Sequence, residues 1–223
     1  MKRLVFALMI MSAAVAAQET VTMNLGDFHS LKTFRGLKVE LIKADAPKIV
    51  IEGNRSSEVT VKNNNGLLKI SMSLSHTFSA DDVMVYLYYK DNIDLIDANE
   101  GSHIFSDEIF KQDKLTTKAQ EAGRIKLEID TDQLNVTVVT GGYVSLKGTS
   151  MNQNIKSNTG GIYKGERLET EITTVSAYTG GMADVKASKL IDANASTGGT
   201  VSISGEPEEV KKKESLGGYV RQL

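Results

Sequence analysis

The sequence predicts an all-β chain built as a right-handed parallel β-solenoid with coils of about 20 residues. Three observations lead there. First, a corner motif recurs: TGGYV at Thr140, TGGIY at Thr159, TGGMA at Thr179, TGGTV at Thr197 and LGGYV at Leu216, preceded by the looser EGSHI at Glu100 and EAGRI at Glu121. The first residues of these motifs lie 21, 19, 19, 20, 18 and 19 positions apart, and a period this steady marks stacked coils rather than a domain wrapped around a pocket. Second, small or apolar residues alternate with polar ones on both sides of each corner, so every coil carries at least two strands. Third, no stretch has the apolar spacing of a helix of normal length, and with only 2 prolines the ladders run uninterrupted. Handedness follows from the preference of parallel connections for the right-handed crossover.

In chain order, residues 1–17 read as an export signal. Lys2 and Arg3 precede an apolar run from Leu4 to Met11, then small residues suited to cleavage after Ala16 or Ala17. The run is too short to span a membrane. No second long apolar stretch follows, so a mature product of roughly 206 residues is expected outside the cytoplasm with no membrane span. Residues 18–93 read as a less regular β region stacked on the solenoid. Strands are expected over 37–42, 49–51, 59–61, 67–72 and 83–89, separated by turn-forming segments at 44–47, 54–57 and 63–66. They form wider coils continuous with the solenoid, the preferred reading, or a small sandwich that caps it. Ser75 to Asp82 is polar and reads as a loop that interrupts the stack.

Residues 94–223 read as the Gly-corner solenoid. Ahead of the corners, Ile96 and Ala98, Thr117 and Ala119, Val136 and Val138, Ile155 and Ser157, Val175 and Ala177, and Ala193 and Ala195 fall on the inward parity. Their neighbours, among them Asp97, Asn99, Lys156, Asn158 and Asn194, are expected to face water. After the corners, Ile125 and Leu127, Val144 and Leu146, Tyr163 and Gly165, Ala183 and Val185, and Val201 and Ile203 point inward. One outward column then reads Lys126, Ser145, Lys164, Asp184, Ser202, Arg221, and the next reads Glu128, Lys147, Glu166, Lys186, Ser204. The second alternates in sign, which argues for in-register stacking, since a slipped register would lose the pairing.

Glycine at the corners supplies positive φ. Thr140, Thr159, Thr179 and Thr197 precede it on the inward parity, where stacked hydroxyls would bond one another or the corner amides. An exposed threonine array recognising a sugar or a crystal surface is the alternative. Lys212 and Glu214 occupy inward positions of the last coil, which therefore reads as a charged end that blocks edge-to-edge pairing. Two strands of about six residues separated by roughly 10 Å leave an interior one side-chain layer thick. Any binding must then use the outer faces, the edges or a groove against the N-terminal region.

Composition narrows the function further. Cys is absent, which excludes a lipid-modified N-terminus, disulfides, thiolate metal sites and a Cys nucleophile. The formal net charge of −2, with acids and bases interspersed, gives no nucleic-acid or anionic-membrane footprint. His29, His76 and His103 are scattered without metal-ligand spacing. Asp81 and Asp82 are adjacent and point to opposite sides of a strand, and Asp91, Asp94 and Asp97, or Asp130 with Asp132, lack the ligand count of a calcium loop. No GxSxG elbow occurs. On VMVYLYYK, Tyr86 and Tyr88 share one face and Tyr89 the other, so one set joins the core while the other forms a surface aromatic platform. No catalytic, cofactor-binding or metal residues are assigned, and no cofactor is expected.

FHSLKTFRGLKVELIKADAPKIVIEGN from Phe28, then LLKISMSL from Leu67, the serial Gly corners and SGEPEEVKKKESLGGYVRQL at the end together resemble the auto-transporter adhesin family with a head-GIN domain. The likeness runs from about Phe28 to Leu223. It implies an exported protein of Gram-negative bacteria, a two-part solenoid similar to pectin-lyase-type β-helices, no established activity and a role in adhesion. Many relatives have a Gly-Ser-like corner where this chain has Thr-Gly-Gly, and the family offers no catalytic residues to carry over. The function expected is a non-enzymatic envelope or secreted protein, in the periplasm, at the cell surface or released, whose outer faces meet a glycan or a protein. The alternatives are a polysaccharide lyase or hydrolase on a β-helix scaffold, which needs acids gathered on one face with Ca²⁺ or a base, and a periplasmic scaffold that pairs its open edge with another chain.

Overall fold

The computed structural model describes residues 19–73 and 83–223. The export-signal reading of 1–17 and the loop reading of 75–82, with His76, Asp81 and Asp82, lie outside the described residues. Seventeen strands follow in order: β1 (Thr20–Asn24), β2 (Ser30–Phe34), β3 (Lys38–Lys43), β4 (Lys48–Glu52), β5 (Val59–Asn64), β6 (Leu67–Met72), β7 (Met84–Tyr89), β8 (Leu95–Ala98) and β9 (His103–Ala119). Then come β10 (Arg124–Val138), β11 (Tyr143–Ser157), β12 (Ile162–Tyr178), β13 (Met182–Lys186), β14 (Leu190–Ser196), β15 (Thr200–Ser204), β16 (Glu209–Ser215) and β17 (Tyr219–Gln222). The helical content of the described residues is a single 3-10 turn, Ser56–Glu58. They form a β-solenoid of about 7 turns of roughly 19 residues with a less regular N-terminal part.

Each corner is a type I′ turn. Thr140 and Gly141 have φ of 50° and 69°, and the Gly142 N–H closes onto the Val139 carbonyl at 2.9 Å. Positive φ at both central residues with this closing bond defines the turn, whose twist suits the strands on either side. The corners also stack: the Gly141 N–H donates to Thr159 O of the next coil at 3.1 Å, Gly160 to Thr179 at 3.2 Å and Gly180 to Thr197 at 3.2 Å. The second glycine is required for a different reason. A Cβ on Gly142 would lie 2.2 Å from the Ala119 carbonyl oxygen of the coil below. The four threonines are exposed at the turn tips, contrary to the inward expectation. Two consecutive left-handed residues reset the strand parity, and the Thr ladder is made by backbone amides, not hydroxyls.

Two wide faces result. The first, built from the strands ahead of the corners, runs β5-β6-β2-β8 and continues through the C-terminal parts of β9 to β12 into β14 and β16. The second, after the corners, runs β1-β4-β7-β3, then the N-terminal parts of β9 to β12, then β13, β15 and β17. Between the faces the chain bends at exposed pairs such as Asp132 and Gln133 or Glu171 and Ile172. Outside the corner threonines and the last coil, every inward residue named from the alternation in the solenoid coils is buried, and a fully buried aliphatic side chain contributes about 2 kcal/mol. Tyr163, fully buried, donates to Gln153 Oε1 at 2.8 Å, and Gln153 in turn donates to Thr173 at 2.8 Å. Burial drives the Tyr163 phenol far above its usual pKa.

The N-terminal strands stack continuously on this rod, but not in chain order. β2 and β3 form a coil that turns at Arg35 and Gly36, with φ of 59° and 70°. That coil pairs in parallel with β8 and β9 on one side and with β6 and β7 on the other. Antiparallel β5 finishes the first face, and antiparallel β4 and β1 finish the second.

The outward columns follow the expected register with one exception. Lys126, Ser145, Lys164, Asp184, Ser202 and Arg221 stack as written, although the short Ser145 and Ser202 are buried beneath their longer neighbours. In the next column a bulge in β12 ejects Glu166 and places Arg167 beside Lys147. Glu128 and Lys147 still pair at 2.6 Å, while Lys186 turns to Glu169 at 2.6 Å. Asp97 and Asn99, expected in water, are buried. Lys32 covers Asp97 with its Nζ 3.1 Å from Oδ2, a charge contact without hydrogen-bond alignment. Asn99 and Gln120 donate to Oδ1 at 3.1 and 3.4 Å.

Candidate functional site

The rod interior is packed with side chains, so the surfaces available for recognition are its two faces and its end. On the second face β7 directs Met84, Tyr86 and Tyr88 outward and buries Tyr89 in the core, stacked on Phe110 with centroids 5.2 Å apart. Burial pushes the Tyr89 phenol up to about 12, with Glu108 adding to the shift. Tyr86 and Tyr88 are thus the surface set. Lys48 Nζ lies 4.2 Å from the Tyr88 ring centre, a favourable cation–π geometry, and Phe105 sits two strands away across β3 in the same register as Tyr86. Tyr143 follows further along, so half-buried aromatics lie along part of this face.

Beyond these aromatics the second face is a ladder of mixed charge. Lys164 pairs with Asp184, whose hydrogen bond raises the lysine pKa. Lys126, Glu128, Ser145, Lys147 and Arg167 join Asp107 around a small hollow of about 180 Å³. His103, outside this hollow at the start of β9 beside Arg124, is half-buried, and burial together with Arg124 and Lys126 lowers its pKa. Its ring packs against Phe105 at 5.2 Å.

The first face differs in kind. Its central column reads Lys62, Lys69, Lys32, Asp97, Lys118, Thr137, Lys156, Ser176, Asn194 and Lys213, from β5 to β16. One flanking column carries Thr116, Asn135, Asn154 and Thr174, and the other carries Asn158 and Tyr178. Phe34, Arg35, Thr60, Lys62, Lys69 and Ser71 line an open hollow of about 500 Å³ at the N-terminal end of this face. Arg35 is already engaged there, donating to Met72 O at 2.6 Å.

At the far end β16 places Lys212 and Glu214 on the inward parity, exposed as expected. Glu214 accepts a bond from the Val220 N–H at 2.6 Å, which ties the two strands of the last coil across its open end.

The candidate chemical residues do not converge. His29 is exposed against Ser30 just ahead of β2 on the first face, whereas His103 opens β9 on the second. Asp130 pairs with Lys111 at 3.0 Å, which lowers its pKa, and Asp91 and Asp94 are exposed in a turn. Among the described residues no three His, Cys, Asp or Glu side chains are grouped to hold a metal, and no helix is long and apolar enough to cross a membrane. Alternation had not revealed the buried Asp97 cluster or the lysine column, because both depend on strands far apart in sequence.

No curated protein matches the chain. Among solved structures, a putative adhesin from Bacteroides fragilis superposes with a TM-score of 0.84 at 16% identity, covering 93% of this chain and 98% of its own. A putative adhesin from Parabacteroides merdae gives 0.69 at 14% identity over 94% and 97%. A structure from Parabacteroides distasonis described as a putative lipid binding protein gives 0.70 at 15% over 94% and 98%. At such identities these likenesses speak for the fold alone. Residues 27–207 match the sequence family described as putative auto-transporter adhesin, head GIN domain, and the chain belongs to that family.

Proposed function

We propose that this is an exported, non-enzymatic binding protein of the adhesin type, whose rigid solenoid presents flat outer faces to a glycan or protein partner outside the cytoplasm. The observation that carries the reading is the pair of long, in-register faces around a filled interior. Such faces offer regular rows of polar and aromatic groups, fixed without prior ordering, so little conformational entropy is lost on binding. The adhesin description of the family supports the same reading. A glycan array and a pull-down with the mature protein test it: retention of a glycan or protein ligand is expected, and cleavage of a polymer with no retained ligand would overturn it. Surface proteolysis of intact, fractionated cells then reports whether the faces reach the outside.

A second reading, a polysaccharide lyase or hydrolase, draws on the hollow where Asp107 and Glu128 meet Lys126, Lys147 and Arg167. Acids and bases gathered on one face are what that chemistry needs. Its test is a screen of acidic polysaccharides for unsaturated or reducing-end products with and without Ca²⁺. Activity that disappears in Arg167→Ala would favour it, and the lack of any product would dismiss it.

A further inference from the structure

We propose that the lysine column of the first face is a track for an extended acidic glycan, one carrying a carboxylate on successive sugar units. The inference deepens the binding reading above and rests on it. The column sets Lys62, Lys69 and Lys32 on three adjacent strands, then Lys118, Lys156 and Lys213 further along. The acids in the outward columns of this face are Asp97, Asp192 and Glu209, the last paired with Lys211. Asp97 is already held by Lys32. The whole chain carries a formal charge of −2, so this surplus of positive charge belongs to one face and not to the composition.

Apart from Lys32, the lysines are also unsatisfied. Lys62 stands directly opposite Lys69, which stands opposite Lys32, and like charges placed across strands repel. Among the described residues Lys62, Lys69, Lys118, Lys156 and Lys213 make no ion pair. The second face behaves otherwise, pairing Lys147 with Glu128 and Lys164 with Asp184 along its ladder. A bound row of anions would relieve the repulsion on the first face.

The spacing and the flanks point to a glycan. Rungs recur at about 4.8 Å, an advance comparable to one sugar unit in an extended chain, so carboxylates along it would meet Lys62, Lys69 and Lys32 on adjacent rungs and Lys118, Lys156 and Lys213 at wider intervals. On one side of the lysines run Thr116, Asn135, Asn154 and Thr174, on the other Asn158 and Tyr178. These rows of hydroxyls and amides suit sugar hydroxyls. A single-stranded nucleic acid would want aromatic platforms under its bases, and here the outward aromatics are Phe34 and Tyr178, at opposite parts of the sheet. The hollow lined by Lys62, Lys69, Thr60 and Ser71, whose one acid, Glu100, faces Arg35 at 3.6 Å, gives the track an end.

The test is binding of the mature protein to polygalacturonate, neutral dextran and an oligothymidylate, followed by calorimetry or affinity electrophoresis across a salt series. Polygalacturonate is expected to bind, dextran not to bind, and the affinity to fall as salt rises because counterions are released. Lys69→Gln, Lys118→Gln and Lys156→Gln combined should weaken binding about tenfold or more and flatten the salt dependence, while Arg at the same three positions restores it. Lys38→Gln, Arg124→Gln and Arg221→Gln, the same charge change on the second face and outside the Asp107 hollow, should leave binding unchanged. Equal losses from both triple variants would overturn the assignment, as would tighter binding to oligothymidylate than to polygalacturonate. Failure to bind polygalacturonate while a neutral glycan or a protein is retained would overturn the track but not the binding function. Retention of nothing on the array would overturn both.

Discussion

The two glycines of one corner should respond to alanine very differently, because each is there for a separate physical reason. Gly141 has φ of 69° with nothing within 4 Å of an added methyl. Alanine there costs about 1–2 kcal/mol for a left-handed L-residue, offset by about 0.4–1 kcal/mol from a stiffer unfolded chain. The net loss is about 1 kcal/mol. In Gly142→Ala the methyl meets the Ala119 carbonyl, 2.2 Å to its oxygen and 2.6 Å to its carbon, where contact distances near 3.5 Å are needed. The two coils must part by about 1 Å. That weakens the bonds of Val139 N–H to Ala119 O at 3.0 Å and of Tyr143 N–H to Gly123 O at 2.9 Å, at about 1–3 kcal/mol for each group left unmatched. The expected cost is about 4 kcal/mol. With about 2–4 °C per kcal/mol in a chain of this size, Tm should drop by about 3 °C for Gly141→Ala and by more than 8 °C for Gly142→Ala. Thermal and urea unfolding, followed at coincident far-ultraviolet and tyrosine signals with an unchanged m-value, measures both. Equal losses, or a milder Gly142→Ala, would refute the assignment of the second glycine to coil-on-coil contact.

Four further outcomes follow from the same structure. Thr140 and Thr179 are β-branched residues at φ of 50° and 48°, so replacing both by Asn, which accepts this conformation and suits a type I′ turn, should stabilise by about 0.5–1 kcal/mol each in urea titrations. A loss would mean that the threonine side chains stabilise the corner. Asp97→Asn keeps an acceptor for Asn99 but leaves Lys32 without its counter-charge, for an expected cost of about 1–3 kcal/mol, and unchanged stability would show the buried charge to be idle. The Tyr89 phenol, raised to about 12 in the folded chain from 10.0, holds its proton while the unfolded state releases it. Its contribution is complete below pH 10 and is lost as pH rises toward 12; a Tyr89→Phe chain should decline less over that interval, and identical curves would contradict the assignment. Val at both Lys212 and Glu214 gives the last coil an apolar inward edge and should turn the protein into concentration-dependent oligomers by light scattering. A monomer at all concentrations would show that these charges do not guard the edge.

The rod was legible in the sequence because its information is local and repeated. One corner and its flanking alternation fix the inward residues of every coil, and Val136, Val144 and Ile203 are all buried as the parity requires. The displaced Glu166 was less visible, although a trace of it exists. The motif spacing lengthens from 19 to 20 between Thr159 and Thr179, and the extra residue is the bulge in β12. The spacing of 21 between Glu100 and Glu121 likewise becomes the bulge of β9 near Ser106. Thr140 was misplaced because parity does not survive two left-handed residues. Asp97 was misplaced because its cover, Lys32, arrives from a strand 65 residues earlier, and alternation within one strand holds no record of which strand lies beside it. The lysine column was hidden for the same reason: Lys62, Lys69 and Lys32 become neighbours only through the out-of-order stacking of β5, β6 and β2.

That stacking order makes the two ends of the rod unequal as mechanical objects. The C-terminal coils can be peeled away one at a time, since each touches a single remaining neighbour, and a stack of this kind frays by losing its last unit first. The coil of β2 and β3 is gripped from both sides by segments synthesised after it. It cannot finish folding until the chain has emerged beyond His103, nor leave without opening two interfaces together. Long-range closure of this sort is slow to form, so a newly made chain stays unlocked at its N-terminal end for longest. A pull on the finished rod should unravel it from the opposite end.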